Sequence, residues 1–273
     1  MPKVIDLTPD SRFLALFVGR SKSGKTCAEM SWRANEEEWI ENHDFDGRIR
    51  GVLGAPWLSK NNITYEYYTP RQKKGSTDPI PYIKIMDKLG TYQVMAGTGQ
   101  PIPTTLILDS LTSETNQMLD QSIPFTHSAE SGAKKGKFQG PVAMAGPGDY
   151  GFEAKATYDI INMLRSCPVK NIIVSAHIVP KWGKPPGADE YADSIILGEQ
   201  LSVRDKIGEN VQIYFDHIFK FERRLIGSEL RYFCITRSDL ASTSFDELPN
   251  EFEITGKNFY ETVMGYVKGE KVA

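Results

Sequence analysis

Cysteine is scarce in this 273-residue chain: Cys27, Cys167 and Cys234 stand far apart and lack metal-ligand spacing. Neither a disulfide framework nor a zinc site is suggested, and the expectation is a reducing cytosol. Long apolar runs are missing too. Nothing approaches the roughly eighteen residues that span a bilayer, and Met1-Pro2-Lys3-Val4-Ile5-Asp6 holds no apolar signal core. Nor does charge of one sign dominate, because 32 Lys and Arg face 35 Asp and Glu for a formal net charge of −3. A protein that coats nucleic acid with its whole surface is excluded, so any such contact must be local. The 40% hydrophobic content still allows a real core, with one large domain as the default.

What is present begins with Phe13-Leu14-Ala15-Leu16-Phe17-Val18, an apolar run that reads as a buried strand. Directly after it, Gly19-Arg20-Ser21-Lys22-Ser23-Gly24-Lys25-Thr26 is a complete phosphate-binding loop. Its glycines let the backbone wrap a polyphosphate, and the amides of Ser23 to Thr26 point into the cradle at a helix N-terminus. Gly19, Ser21, Lys22, Ser23, Gly24, Lys25, Thr26 and Cys27 are the expected nucleotide-binding residues, Lys22 being open to a simpler role as a solvated lysine. Lys25 neutralises the β- and γ-phosphates in this reading, and Thr26 offers its hydroxyl to Mg²⁺. The helix is expected from Gly24 to about Ile40, burying Ala28, Trp32 and Trp39.

Beyond it, strands are expected at Ile49 to Leu53 and Ile63 to Tyr68, and a helix at Tyr82 to Leu89. Thr104-Thr105-Leu106-Ile107-Leu108-Asp109-Ser110 is the second informative run. Four apolar or β-branched residues ending in aspartate describe a central parallel strand whose carboxylate emerges beside the phosphate loop. Asp109 then holds Mg²⁺ through water, although an acidic strand cap is also common without a metal. From 120 to 151 the chain turns small, polar and basic, which predicts a long loop. A helix follows at about Phe152 to Arg165, then a buried strand from Asn171 to His177 and a second irregular stretch from Pro180 to Asp193. Val211 to Phe215, Asp216 to Glu222 and Leu230 to Thr236 read as strands, the last two joined at Gly227-Ser228, and the chain closes in a short helix or tail.

In this order, the phosphate loop, Leu106-Ile107-Leu108-Asp109-Ser110, Gly148-Asp149-Tyr150-Gly151 and Ser175-Ala176-His177 resemble the RecA-like ATPase core. The nearest resemblance is to phage-encoded nucleotide-binding proteins that act as single-strand annealing recombinases. It covers residues 12–240, leaving 1–11 as an N-terminal segment and 241–273 as a C-terminal extension. The resemblance implies an α/β fold: a RecA-like P-loop NTPase core, its mostly parallel central sheet flanked by helices, with a C-terminal β-hairpin. It also implies ATP and Mg²⁺ as cofactors, self-association into a ring or filament, and host cytoplasm if the chain is phage-encoded.

Two loops, 111–148 and 178–208, are implied to face single-stranded DNA. Lys134, Lys135 and Lys137 are their expected phosphate contacts, supported by Lys181 and Lys184, with Phe138 and Trp182 as stacking candidates. His177 maps onto the family's γ-phosphate sensor, against the plainer role of a hydrogen-bonded histidine at a strand end. The family's usual glutamate at the tip of the strand after the first helix has no counterpart behind Ile49 to Leu53, where Gly54-Ala55-Pro56-Trp57 follows. Glu66 and Glu114 are the substitutes, the second being placed among the catalytic residues with Lys25, Asp109 and His177. Charge stabilisation needs a cation, for which Lys220, Arg223, Arg224, Arg231 and Arg237 are available. Arg231 and Arg237 share one face of their strand and suit a role in a neighbouring subunit's site.

The function so expected is an oligomeric, DNA-stimulated ATPase of recombination or replication. The alternatives are a nucleotide-dependent switch or assembly factor with negligible turnover, and a small-molecule kinase, which lacks an arginine-rich lid here.

Overall fold

Seven successive apolar or small residues, Phe13–Gly19, make β1, and every one is buried. Such an unbroken run needs cover on both faces. In the computed structural model, which describes residues 12–55, 58–68, 81–129, 145–187, 189 and 193–270 (backbone alone for 121–129, 205 and 206), that cover comes from helices on either side of a sheet. Leu14, Leu16 and Val18 face a core shared with Leu106, Leu108, Ile172 and Val174; Phe13, Ala15 and Phe17 face one shared with Ile107, Ile173, Phe219 and Phe221. The alternation is the period of a strand buried on both sides.

The elements run β1, α1 (Lys25–Met30), β2 (Ile40–Asp44), α2 (Ile49–Val52), β3 (Ile63–Tyr67), α3 (Pro81–Gly97), β4 (Thr105–Asp109) and α4 (Leu111–Ala129). Then come α5 (Pro147–Ser166), β5 (Asn171–Gly183), β6 (Ile195–Leu201), α6 (Asp205–Val211), β7 (His217–Ile226), β8 (Glu229–Ile235), β9 (Glu251–Glu253) and α7 (Phe259–Val267). The sheet order is β3-β2-β4-β5-β1-β7-β8-β9, with β6 paired to β5. From β3 to β7 every neighbouring pair is parallel, and β7, β8 and β9 are antiparallel. One strand, β5, lies between the phosphate-loop strand and the Asp109 strand. Helices flank both faces of this mostly parallel sheet and a β-hairpin closes it, the α/β arrangement expected from the sequence. None of the described helices is long and apolar enough to cross a membrane.

Four expectations are corrected. The first helix stops at Met30 instead of reaching Ile40, because Ser31 bonds back to the Ala28 carbonyl (2.8 Å) and Trp32 leaves the helical path to stack on Phe13, ring centroids 4.0 Å apart. The freed chain forms β2, a strand the sequence reading lacks. Ile49 to Leu53 is not a strand: the Asp44 carboxylate accepts from the amides of Asp46, Gly47, Arg48 and Ile49 and turns the chain into the short α2. Val211 to Phe215 is likewise not a strand, since Ile207 and Val211 bury at helical spacing and a 3-10 turn, Gln212–Tyr214, follows.

The fourth correction concerns the stretches read as loops. Helix α4 runs on through Ala129 and α5 starts at Pro147, where Asp149 accepts from the Gly146 amide at 2.7 Å. Past His177, β5 leaves the main sheet and pairs antiparallel with β6, so much of 178–208 is a hairpin. At the far edge, β9 extends the sheet beside β8, and Phe259 and Val263 of α7 enter the second core.

Candidate nucleotide site

Gly19 ends β1 where no side chain fits: a Cβ there would meet the Phe221 carbonyl and the Ser23 hydroxyl oxygen, each at 2.5 Å. Gly24 closes the loop with φ +97°, a left-handed conformation that L-residues avoid, and faces the Tyr232 ring. With only six residues, α1 has a small dipole, so an anion here would be held mainly by the loop amides and Lys25.

Lys25 is buried. Its ammonium donates to the carbonyls of Gly19 (2.9 Å) and Arg20 (3.2 Å), and its Nζ lies 3.4 Å from His177 Nδ1. Burial lowers its pKa, opposed by the charges of Glu29, Asp109 and Asp46. The Thr26 hydroxyl donates to Asp109 Oδ2 (3.0 Å), and Ser175 donates to Asp109 Oδ1 (2.6 Å). Burial raises the Asp109 pKa, the Ser175 bond pulling against it. The wholly buried Glu29 of α1 is pushed well up, by burial first and then by Asp109.

His177 reaches the site from β5, its amide donating to Thr112 Oγ1 at 3.0 Å. Its Nε2 lies 2.9 Å from Asp46 Oδ2. With Nε2–H donating to that carboxylate, the Nδ1 lone pair faces Lys25. Asp46 also accepts from the hydroxyls of Ser110 (3.0 Å) and Ser113. Burial works against its charge, but the bonds from His177, Ser113 and Ser110 prevail and hold it below the usual carboxylate range. Arg48 ties this turn to the phosphate loop through Ser21 Oγ (2.7 Å).

These groups open on a cavity of about 440 Å³, within the range of small-molecule sites. Lys22, Ser23, Gly24, Lys25, Thr26 and Cys27 line its phosphate side, with Asp46, Asp109 and His177 behind them. On its other wall Val52, Tyr232, Ile254 and Phe259 form an apolar and aromatic surface suited to a planar base, with the cationic Arg223 and Lys257 beside them.

The expected residues thus separate. Lys25, Thr26, Asp109 and His177 converge, with the rest of the loop around them. Glu114 does not join them; it lies buried where α4 meets α5, accepting from Thr157 (3.2 Å), and burial raises it to about 8. Glu66 pairs with Lys84 at 2.6 Å. Arg231 pairs with Glu229 and Glu253, Arg237 with Asp246, and Lys220 with Glu199 and Glu222. Lys181 sits on β5 and Lys184 just after it. Lys134, Lys135, Lys137 and Phe138 lie outside the described residues. The sequence reading missed Asp46 altogether, and the signal for it was the placement of β2, whose tip Asp46 follows.

No protein-family model matches the sequence, and neither does any curated protein. Among solved structures, the chain is similar to a KaiC-like protein from the hyperthermophilic archaeon Pyrococcus horikoshii OT3, with TM-score 0.45 and 10% identity, covering 88% of this chain and 83% of that one. It is also similar to the flagellar accessory protein FlaH from Methanocaldococcus jannaschii, with TM-score 0.47 and 9% identity, covering 89% and 85% respectively.

Proposed function

We propose that this chain binds Mg-ATP in the Lys25 cavity and hydrolyses it as a self-associating, RecA-like protein that acts on single-stranded DNA. The observation that carries the reading is the convergence of Lys25, Thr26, Asp109, His177 and Asp46 at one edge of the parallel sheet. Thr26 and Asp109 offer two oxygens 3.0 Å apart, the donor type a hard dication takes, and would hold Mg²⁺. The ion would neutralise charge on the β- and γ-phosphates. Lys25 binds the same phosphates, which compete for it with the carbonyls of Gly19 and Arg20.

Asp46 supports turnover. It follows the tip of the strand after the first helix, where the resemblance calls for a water-polarising carboxylate, and it is kept ionised by three donors. A base so well bonded orients water more than it takes a proton. His177 links it to Lys25 and so suits a reader of the γ-phosphate, passing its presence along β5 to the β5–β6 hairpin. Arg223 supplies a cation in the same chain.

Self-association is supported by that hairpin, where Trp182 is 63% and Ile196 56% exposed. Single-stranded DNA is proposed on the basic run Lys134, Lys135 and Lys137 with Lys181 and Lys184. Phosphate release measured with and without single-stranded DNA tests the reading. Stimulation by DNA is the expected result; turnover only with a metabolite acceptor would indicate a kinase, and tight binding without turnover a switch.

A further inference from the structure

The edge of the sheet opposite the β7–β8 hairpin buries a second polar cluster. Glu41 and His43 lie two residues apart on β2 and share a face, while Glu66 stands directly across from His43 on β3. One ring nitrogen of His43 and one carboxylate oxygen from each glutamate lie within 4.8 Å of one another. Polar side chains at this depth are costly without partners.

His43 is fully buried, and burial keeps its ring neutral. Nδ1 lies 2.8 Å from the Tyr68 hydroxyl, which is itself turned to Glu66. With its proton directed at that carboxylate, Tyr68 accepts from Nδ1–H and leaves a lone pair on Nε2. That atom is buried and meets no hydrogen-bond partner. The glutamates are neutralised from α3, Lys88 pairing with Glu41 at 3.1 Å and Lys84 with Glu66 at 2.6 Å. Both lysine side chains are more than a third exposed and free to swing into solvent.

We propose that Glu41, His43 and Glu66 bind a divalent transition-metal ion of the zinc class, separate from the nucleotide's Mg²⁺, which fastens the edge strand β3 to β2. An imidazole nitrogen with two carboxylates is a donor set such ions accept, with water to complete the shell. Ligand distances of about 2.0–2.2 Å require donors about 3.3 Å apart, which the two glutamates reach by small rotamer changes. The incoming charge displaces the two ammonium groups, so lysine and metal compete for the same carboxylates. Because Asp44 follows His43 directly and shapes the turn that aims Asp46, the ion steadies the nucleotide site from behind.

The experiment is a titration of metal-stripped, full-length protein with Zn²⁺ against a chromophoric chelator, without nucleotide or Mg²⁺, repeated with Co²⁺ to read its visible absorption. The wild type is expected to bind one equivalent. His43→Ala and Glu66→Gln should each weaken it about ten-fold or more. Removing the competitors in Lys84→Ala with Lys88→Ala should tighten it, and Asp109→Asn should leave it unchanged. Absence of binding in the wild type overturns the proposal, as does binding that survives Glu66→Gln or is lost with Asp109→Asn. Should His43→Ala fail to fold, the half-buried Glu66→Gln decides the matter alone.

Discussion

Asp46 and Asp109 are two carboxylates in one pocket with opposite electrostatics, and that contrast sets what each residue does. Asp109 has Thr26 and Ser175 as donors yet is raised by burial; Asp46 has His177, Ser110 and Ser113 and is lowered. Asp46→Asn should therefore retain ATP affinity and lose roughly 10²–10⁴-fold in turnover, checked by phosphate release at saturating ATP. An unchanged rate would remove Asp46 from the chemistry. Asp109→Asn should bind ATP without Mg²⁺ as the wild type does but lose the enhancement that Mg²⁺ gives, measured by calorimetry with and without the ion. Lys25 and Thr26 were legible in the sequence because the spacing of their loop motif suits a phosphate, and Asp109 because it ends an apolar strand. Asp46 was not, since its position depends on β2, and Ile40-Glu41-Asn42-His43-Asp44 has neither an apolar run nor polar-apolar alternation. All five residues are buried, and the contacts that hold the polar ones, such as His43 Nδ1 to the Tyr68 hydroxyl and Lys88 to Glu41, come from other elements, which no propensity records.

At the scale of elements, α4 and α5 are joined by a buried contact in which Glu114 accepts from Thr157, while Glu153 of α5 pairs at 2.7 Å with Arg204 at the start of α6. Glu114 titrates near 8 in the fold against an ordinary 4.5. Below about pH 4.5 folded and unfolded chains both hold the proton. Between 4.5 and 8 only the unfolded chain releases it, so folding loses stability as pH rises. Glu114→Gln lacks this slope and should exceed the wild type by on the order of 2–4 kcal/mol at pH 8, with little difference at pH 4.5. Urea unfolding at the two pH values checks this, and parallel curves would contradict it. The β5–β6 hairpin makes a second test. Trp182→Ser with Ile196→Ser should reduce the assembled fraction in gel filtration with an ATP analogue, and an unaltered profile would place the contact elsewhere. The hairpin escaped the sequence reading because Pro180 and the glycines around it signal a turn, whereas β6 pairs with β5 and takes Pro180 opposite Glu199.

The whole molecule places Lys25, Thr26, Asp46, Asp109 and His177 at the C-terminal edge of six parallel strands, β3 to β7, and closes the other side of the cavity with Tyr232 of β8, Ile254 just after β9 and Phe259 of α7. The central strands β1, β4 and β5 were legible as apolar runs bounded by motif residues, and the parallel architecture followed from them. The far wall was not legible, because Tyr232, Ile254 and Phe259 meet Gly24 and Val52 only through tertiary packing. Calorimetric titration of Mg-ATP into the wild type and Lys25→Ala tests the central claim, that this cavity is a nucleoside-triphosphate site. The account predicts a fold retained by circular dichroism and an affinity lower by roughly 10- to 100-fold, the ~1.5–3 kcal/mol of a charged hydrogen bond. Equal affinity in the two folded proteins would contradict it.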